Sequence, residues 1–310
     1  MSSNTQPADA IVHNWTAHLP TRLKPYAQLM RLDRPIGTWL LFWPCVLGLM
    51  LGAAADERRL LEWRDLYYVV LFGIGAIVMR GAGCTFNDII DRDIDAAVAR
   101  TRGRPLASGA LKTKQAAALL VLLCLIGLGI LVQFNLFTIG LGAASLLLVA
   151  AYPFMKRITW WPQAWLGLTF NWGALLGFAA ATGRVSIGDG LLYAGLIFWT
   201  LGYDTIYAHQ DKEDDALIGV KSTARLFGAN SRTWILRFYV LAFTLILAAG
   251  FCEHTGWPFA FVMLAAGWHL LQQVRRLDID DPANCLTLFR ANRLTGALFA
   301  ASFAIASWLG

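Results

Sequence analysis

Long apolar runs separated by short polar stretches recur along the whole chain. A hydrocarbon core of ~30 Å takes roughly 20 apolar residues per helix. On that measure the runs predict nine transmembrane helices, at approximately 36–55, 66–86, 115–133, 136–155, 161–181, 187–207, 234–252, 256–271 and 294–310. The eighth is short, and only Phe134 and Asn135 separate the third from the fourth, which leaves a count of eight open. The pattern defines an all-α, polytopic membrane helical bundle, with residues 1–25 as a polar N-terminal segment and 26–310 as one transmembrane domain.

Composition agrees with lipid as part of the solvent. Hydrophobic residues make up 57% of the chain and charged residues 15%, where a soluble domain carries about 25% charge. Several of the 13 Trp (Trp39, Trp43, Trp160, Trp161, Trp257, Trp268) sit at the ends of apolar runs. An indole there keeps its N–H at headgroup level, although any one of them reads equally well as a core side chain. The first 30 residues contain no apolar run suited to a signal peptide, so no cleavage is expected. The five Cys and five His are scattered without metal spacing, and no zinc or haem site is expected.

Charge tests the helix assignment independently, because Lys and Arg accumulate on the side that is not translocated. With the N-terminus on the cytoplasmic side, all but four of the 26 Lys and Arg fall in the N-terminal segment, in the loops after helices two, four, six and eight, or at the adjoining helix ends. The exceptions are Arg58, Arg59, Arg64 and Arg184. The predicted topology is therefore N-terminus inside and C-terminus outside. The loops after helices two and six are the long ones, at about 90–114 and 208–232, and their matching places in the two halves hint at a pseudo-repeat.

Each of these loops begins with an acidic cluster. The first reads Asn87-Asp88-Ile89-Ile90-Asp91-Arg92-Asp93-Ile94-Asp95. At about 100° per residue, Asp88, Asp91 and Asp95 fall within an arc of about 60° on one helix face, and Asp93 points away. In the second cluster, 204–215, Asp204, Asp211 and Asp215 share an arc of about 40°, with Glu213 opposite. Asp204 lies at the edge of an apolar helix, where a carboxylate is costly enough to imply function. Six carboxylates on two such faces repel one another unless cations neutralise them. Hard oxygen ligands suit Mg2+, which binds through a few carboxylates together with substrate phosphates. The alternative, solvated charges paired with nearby Arg, has to explain the same facial agreement twice.

Cations that could face a diphosphate stand nearby: Arg100, Arg102, Arg104, Lys112, Lys156, Arg157, Lys221 and Arg225. For each one singly, topology alone accounts for its presence as well as a substrate contact does.

The pattern Asn-Asp-x-x-Asp-x-x-x-Asp at 87–95, with Asp-x-x-Tyr-Ala-x-x-Asp-x-x-x-Asp at 204–215, resembles the intramembrane aromatic prenyltransferase superfamily. The stretches 31–37 (Arg-Leu-Asp-Arg-Pro-Ile-Gly), 102–106 (Arg-Gly-Arg-Pro-Leu), 152–157 (Tyr-Pro-Phe-Met-Lys-Arg) and 219–223 (Gly-Val-Lys-Ser-Thr) are similar to its branch of 4-hydroxybenzoate polyprenyltransferases of ubiquinone biosynthesis. The resemblance covers about 26–310. It implies nine helices around a central cavity and Mg2+ as cofactor. The implied ligands are Asn87, Asp88, Asp91, Asp95, Asp204, Asp211 and Asp215, of which Asp88, Asp91, Asp204 and Asp211 are also catalytic. For substrate it implies Arg34 on the aromatic carboxylate, with Arg104, Tyr152, Lys156, Arg157, Tyr207 and Lys221 as further contacts.

The implied partners are a polyprenyl diphosphate, 4-hydroxybenzoate and membrane lipid, and no nucleic acid. The implied reaction is ionisation of the allylic diphosphate and attack by the ring carbon ortho to the phenol hydroxyl. The chain is expected in an inner (cytoplasmic) membrane, multi-pass, with its active site at the cytoplasmic face. Sister prenyltransferases, a transporter using intramembrane carboxylates and a structural membrane protein are the competing readings. Against a transporter stands the clustering of the aspartates at one face instead of the midplane.

Overall fold

In the computed structural model, residues 15–56, 62–97, 101–217 and 219–309 are described, except for the side chains of 17, 97, 214, 215 and 306–309. All of the regular structure among them is helical. The helices are α1 (Lys24–Leu29), α2 (Ile36–Ala55), α3 (Trp63–Ala97), α4 (Thr113–Leu131), α5 (Leu136–Ile158), α6 (Pro162–Thr182), α7 (Ile187–Ala208), α8 (Lys212–Leu217), α9 (Thr223–Phe227), α10 (Ser231–Cys252), α11 (Gly256–Arg276) and α12 (Pro282–Leu309), with short 3-10 turns between some of them. A helix stands at each of the nine predicted spans. By length and composition, six segments among the described residues qualify to cross a membrane: 36–55, 63–96, 113–131, 136–158, 162–182 and 223–252.

Local chemistry sets the boundaries. Asn135 separates α4 from α5, its Oδ1 accepting from the backbone of Thr138 at 2.9 Å while its Nδ2 donates to the carbonyl of Ala179 at 2.7 Å. α6 opens on Pro162, whose missing N–H is no loss in the first turn. It closes at Gly183, where φ is +72°. Ser186 caps α7 by accepting from the backbone of Asp189 at 3.0 Å, and its hydroxyl donates to Glu253.

The chain falls into two compact units, 1–38 with 73–133, and 39–72 with 134–310. In the first unit, Leu29, Leu106, Leu111 and Ala116 form a buried cluster, so the 101–112 loop is anchored by two leucines. A neighbouring cluster of Val78, Ala82 and Leu123 joins α3 to α4. In the second unit α7 packs against α6, α10 and α12. α2 approaches α6 closely enough that a Cβ on Gly48 or Gly177 would run into the facing backbone of Ala174 or Cys45. Small residues permit such approach where lipid supplies no hydrophobic drive between helices.

The last three long helices carry a buried amide network that reaches α7. Gln273 accepts from Tyr239 and from Asn292 at 3.0 Å, and Asn292 accepts from the indole of Trp199 at 2.8 Å. Paired polar groups of this kind join helices inside lipid.

Candidate functional site

The first acidic motif rides on α3, an unbroken helix of 35 residues. Such a helix is about 52 Å long at 1.5 Å per residue, well beyond the ~30 Å hydrocarbon core. Its last turns therefore project past the apolar span with their helical phase intact. Asp88, Asp91 and Asp95 are 1%, 0% and 5% exposed, whereas the side chain of Asp93 is 86% exposed. Asn87 is half-buried on the turn before them.

Two guanidinium groups lie against that acidic face. Arg31 Nη2 donates to both oxygens of Asp88, at 2.7 and 2.9 Å. Arg104 Nη1 donates to Asp95 Oδ2 at 2.7 Å and to Asp88 Oδ1 at 3.3 Å. Arg104 is delivered by the loop that Leu106 and Leu111 anchor, and Thr101 ties the same loop to the carbonyl of Asp95 at 2.9 Å. Burial, the largest single influence, works against the charge on Arg31, but Asp88, Cys84 and Asp33 together hold the guanidinium above its ordinary range.

Arg31 adopts φ +57°, a conformation few non-glycine residues take. Its carbonyl accepts from Arg80 Nη1 at 2.9 Å. Arg34 is half-buried, with Nε directed at Asp33 Oδ2 at 3.3 Å. Arg31 and Arg80 had no place among the expected contacts. An arginine within the apolar run 66–86 was the available signal for Arg80, because a charge at membrane depth needs a reason.

The second motif is built differently. α7 ends at Ala208, a 3-10 turn covers His209–Asp211, and α8 follows from Lys212. A 3-10 turn advances about 120° per residue against about 100° in an α-helix. Three such steps turn Asp211 by about 60°, which leaves it about 40° from Asp204 around the helix axis; the side chain of Asp215 lies outside the described residues.

Asp204 is half-buried and makes no hydrogen bond or ion pair with a described residue. Asp211 is half-buried and Glu213 exposed. Tyr207 packs its ring against Phe289 at 4.5 Å. His209 is buried with neither ring nitrogen bonded, and burial, then Lys212, push its imidazole down to about 4. It is therefore neutral across the physiological range.

Tyr152 and Lys156 are half-buried and Arg157 exposed near the end of α5. The backbone of Lys221 donates to the Lys156 carbonyl and its Nζ to the Ile158 carbonyl, both at 3.1 Å. Lys221 thus closes the C-terminus of α5, where a cation also suits the helix dipole. The same 219–223 segment is held to α7 by the 2.7 Å bond between the Thr205 and Thr223 hydroxyls.

The donors of both motifs are hard oxygens, carboxylates and one amide, which fits Mg2+ chemically. Among the described residues no three His, Cys, Asp or Glu side chains are grouped to hold an ion. In the first motif two arginines pair with Asp88 and Asp95 instead. In the second, the carboxylate of Asp204, without a partner among the described residues, offers its oxygens.

This architecture is that of an all-helical membrane protein with two acidic motifs at the ends of long helices. The pattern of the UbiA prenyltransferase family matches residues 41–308, and the chain belongs to that family. It is 51% identical over 282 residues to the mitochondrial 4-hydroxybenzoate polyprenyltransferase of Drosophila melanogaster, covering 90% of this chain and 70% of the relative. To the enzyme of the same name from Bos taurus it is 49% identical over 280 residues, 90% of this chain and 74% of that one.

Two solved structures share the fold. The apo structure of a UbiA homolog from Aeropyrum pernix K1 superposes with a TM-score of 0.71 at 24% identity, covering 86% of this chain and 96% of that one. A UbiA homolog from Archaeoglobus fulgidus, bound to GPP and Mg2+, gives 0.67 at 17% identity, with 92% and 99% covered.

The relatives correct one expectation. Placement in an inner (cytoplasmic) membrane, with the active site at the cytoplasmic face, does not stand, because these relatives are mitochondrial by name. The physical reason is that an excess of Lys and Arg marks the untranslocated side of a membrane and says nothing of which membrane it is. The multi-pass character is unaffected.

Proposed function

We propose that this chain transfers a polyprenyl group from a polyprenyl diphosphate to the carbon ortho to the hydroxyl of 4-hydroxybenzoate, releasing diphosphate and the displaced ring proton, as a step of ubiquinone biosynthesis. The observation that carries this reading is identity of about half the residues, over nine-tenths of the chain, to enzymes named for that reaction. The finer topology is nine spans within one transmembrane domain, 26–310, after a polar segment, 1–25. The N-terminus lies on the side of the basic loops.

Asn87, Asp88, Asp91 and Asp95 of the first motif and Asp204, Asp211 and Asp215 of the second are the residues that would hold Mg2+. The homolog solved with GPP and Mg2+ is the precedent. Bound there, the ion supplies positive charge to the departing diphosphate. The chain does the rest. Arg104 adds a cation beside Asp88 and Asp95, and Lys156, Arg157 and Lys221 extend the basic surroundings of the leaving group. Arg34 receives the aromatic carboxylate on its guanidinium fork. Tyr152 and Tyr207 present ring faces to the allylic cation. Each CH2 of the donor tail favours lipid by ~0.8 kcal/mol, so the tail stays in the bilayer and its length is weakly specified.

The test is product formation by purified protein in liposomes given geranyl diphosphate and 4-hydroxybenzoate, with Mg2+ and after chelation. A 3-geranyl-4-hydroxybenzoate product that disappears with EDTA is expected. Diphosphate release only with another acceptor would move the assignment to a sister enzyme, and silence with every acceptor would overturn it.

A further inference from the structure

Arg80 sits on α3 eight residues before Asp88, about 12 Å deeper along the helix at 1.5 Å per residue. A guanidinium inside an apolar span is expensive even half-buried, and nothing in the reaction chemistry above employs it. Its Nη1 donates to the carbonyl of Arg31 at 2.9 Å and to the hydroxyl of Thr38 at 3.4 Å, both where the chain enters α2. The charged groups around it are Arg31, Asp33 and Arg34. Gly37 makes the room, because a Cβ there would stand 2.5 Å from Arg80 Nε and 2.9 Å from Nη2.

Arg31, whose carbonyl Arg80 holds, is the residue at φ +57°. Its side chain turns back to donate to Gln28 at 2.9 Å and to both oxygens of Asp88. Left-handed conformations cost an ordinary residue free energy and persist where surrounding contacts over-determine them.

We propose that Arg80 is a positioning residue for the first acidic motif: by holding the Arg31 carbonyl it keeps Arg31 in its left-handed turn, and so fixes the guanidinium that orients the Asp88 carboxylate. The inference rests on the reading of Asp88 as a metal-holding residue. Partners that orient a ligating carboxylate, when removed, cost about 10–100-fold in metal affinity.

The experiment measures Mg2+ binding calorimetrically to the purified full chain with geranyl S-thiolodiphosphate, an unreactive donor analogue, beside thermal unfolding and the KM for 4-hydroxybenzoate. Arg80→Gln is expected to weaken Mg2+ binding by about tenfold or more, with Arg80→Lys recovering part of the loss. Gly37→Ala is the independent variant. It leaves every charged residue in place and displaces only the flexible end of Arg80, so it should reproduce the loss of affinity with little change in unfolding temperature. Mg2+ affinity within about twofold of wild type in both Arg80→Gln and Gly37→Ala would overturn the inference. So would a rise confined to the KM for 4-hydroxybenzoate, since it would assign Arg80 to the acid instead. A wild-type protein that binds no Mg2+ would instead sink the reading of the motif itself.

Discussion

The two acidic motifs solve the same electrostatic problem in opposite ways. The first keeps its three facing carboxylates on one unbroken helix and pairs two of them in advance, Arg31 on Asp88 and Arg104 across Asp88 and Asp95. The second breaks its helix with a 3-10 turn after Ala208, and Asp204 has no such counter-charge among the described residues. A buried carboxylate already paired with arginine contributes to the fold whether or not a ligand is present. One left without a partner contributes only when a cation arrives. Mutation should therefore separate structure from function at the second motif and confound them at the first.

The largest expected contrast follows directly. Asp88→Ala and Asp204→Ala should both abolish prenylated product, measured by mass spectrometry. Only Asp88→Ala strands a buried arginine, a loss of about 3–5 kcal/mol that a falling thermal midpoint would report. Equal destabilisation by the two variants would erase the distinction.

Next in size is Arg104→Ala, which removes the bridge between Asp88 and Asp95 and leaves their charges facing each other. Activity should fall by about 100-fold and unfolding temperature should drop, and the KM for the donor diphosphate should rise more than that for the acid. The effect of Arg34→Ala should be narrower, confined mainly to the KM for 4-hydroxybenzoate. An unchanged KM there would remove the proposed carboxylate contact.

Smallest are Asp93→Ala and Glu213→Ala, whose side chains are exposed. Surface substitutions of this kind usually stay within about 0.5 kcal/mol in stability, and turnover should remain near wild type. Severe loss in either variant, measured in the same assay, would mean that the exposed faces also meet substrate.

Much of this was legible in the residues. Each of the apolar runs is met by a helix among the described residues, and the 100° spacing placed Asp88, Asp91 and Asp95 on a buried face and Asp93 outside it. Between Asp204 and Asp211 the same arithmetic is off by about 60°, because it assumes an α-helix throughout and the chain there tightens into a 3-10 turn. Lys221, expected near substrate, spends its ammonium on the carbonyl of Ile158. Spacing along a chain says which groups are close in sequence and leaves open which carbonyl a flexible side chain will reach.

The sequence by itself determined the helical membrane architecture and the acidic faces, since both follow from local periodicity and from the cost of placing polar groups in lipid. The tertiary structure alone decided which cations serve those faces. Arg31 reaches Asp88 across 57 residues of chain and is held by Arg80 through a backbone carbonyl. The amide network of Gln273 and Asn292 likewise joins helices far apart in sequence. Such pairings depend on how packed helices bring distant turns together, and no periodicity within a single segment encodes that.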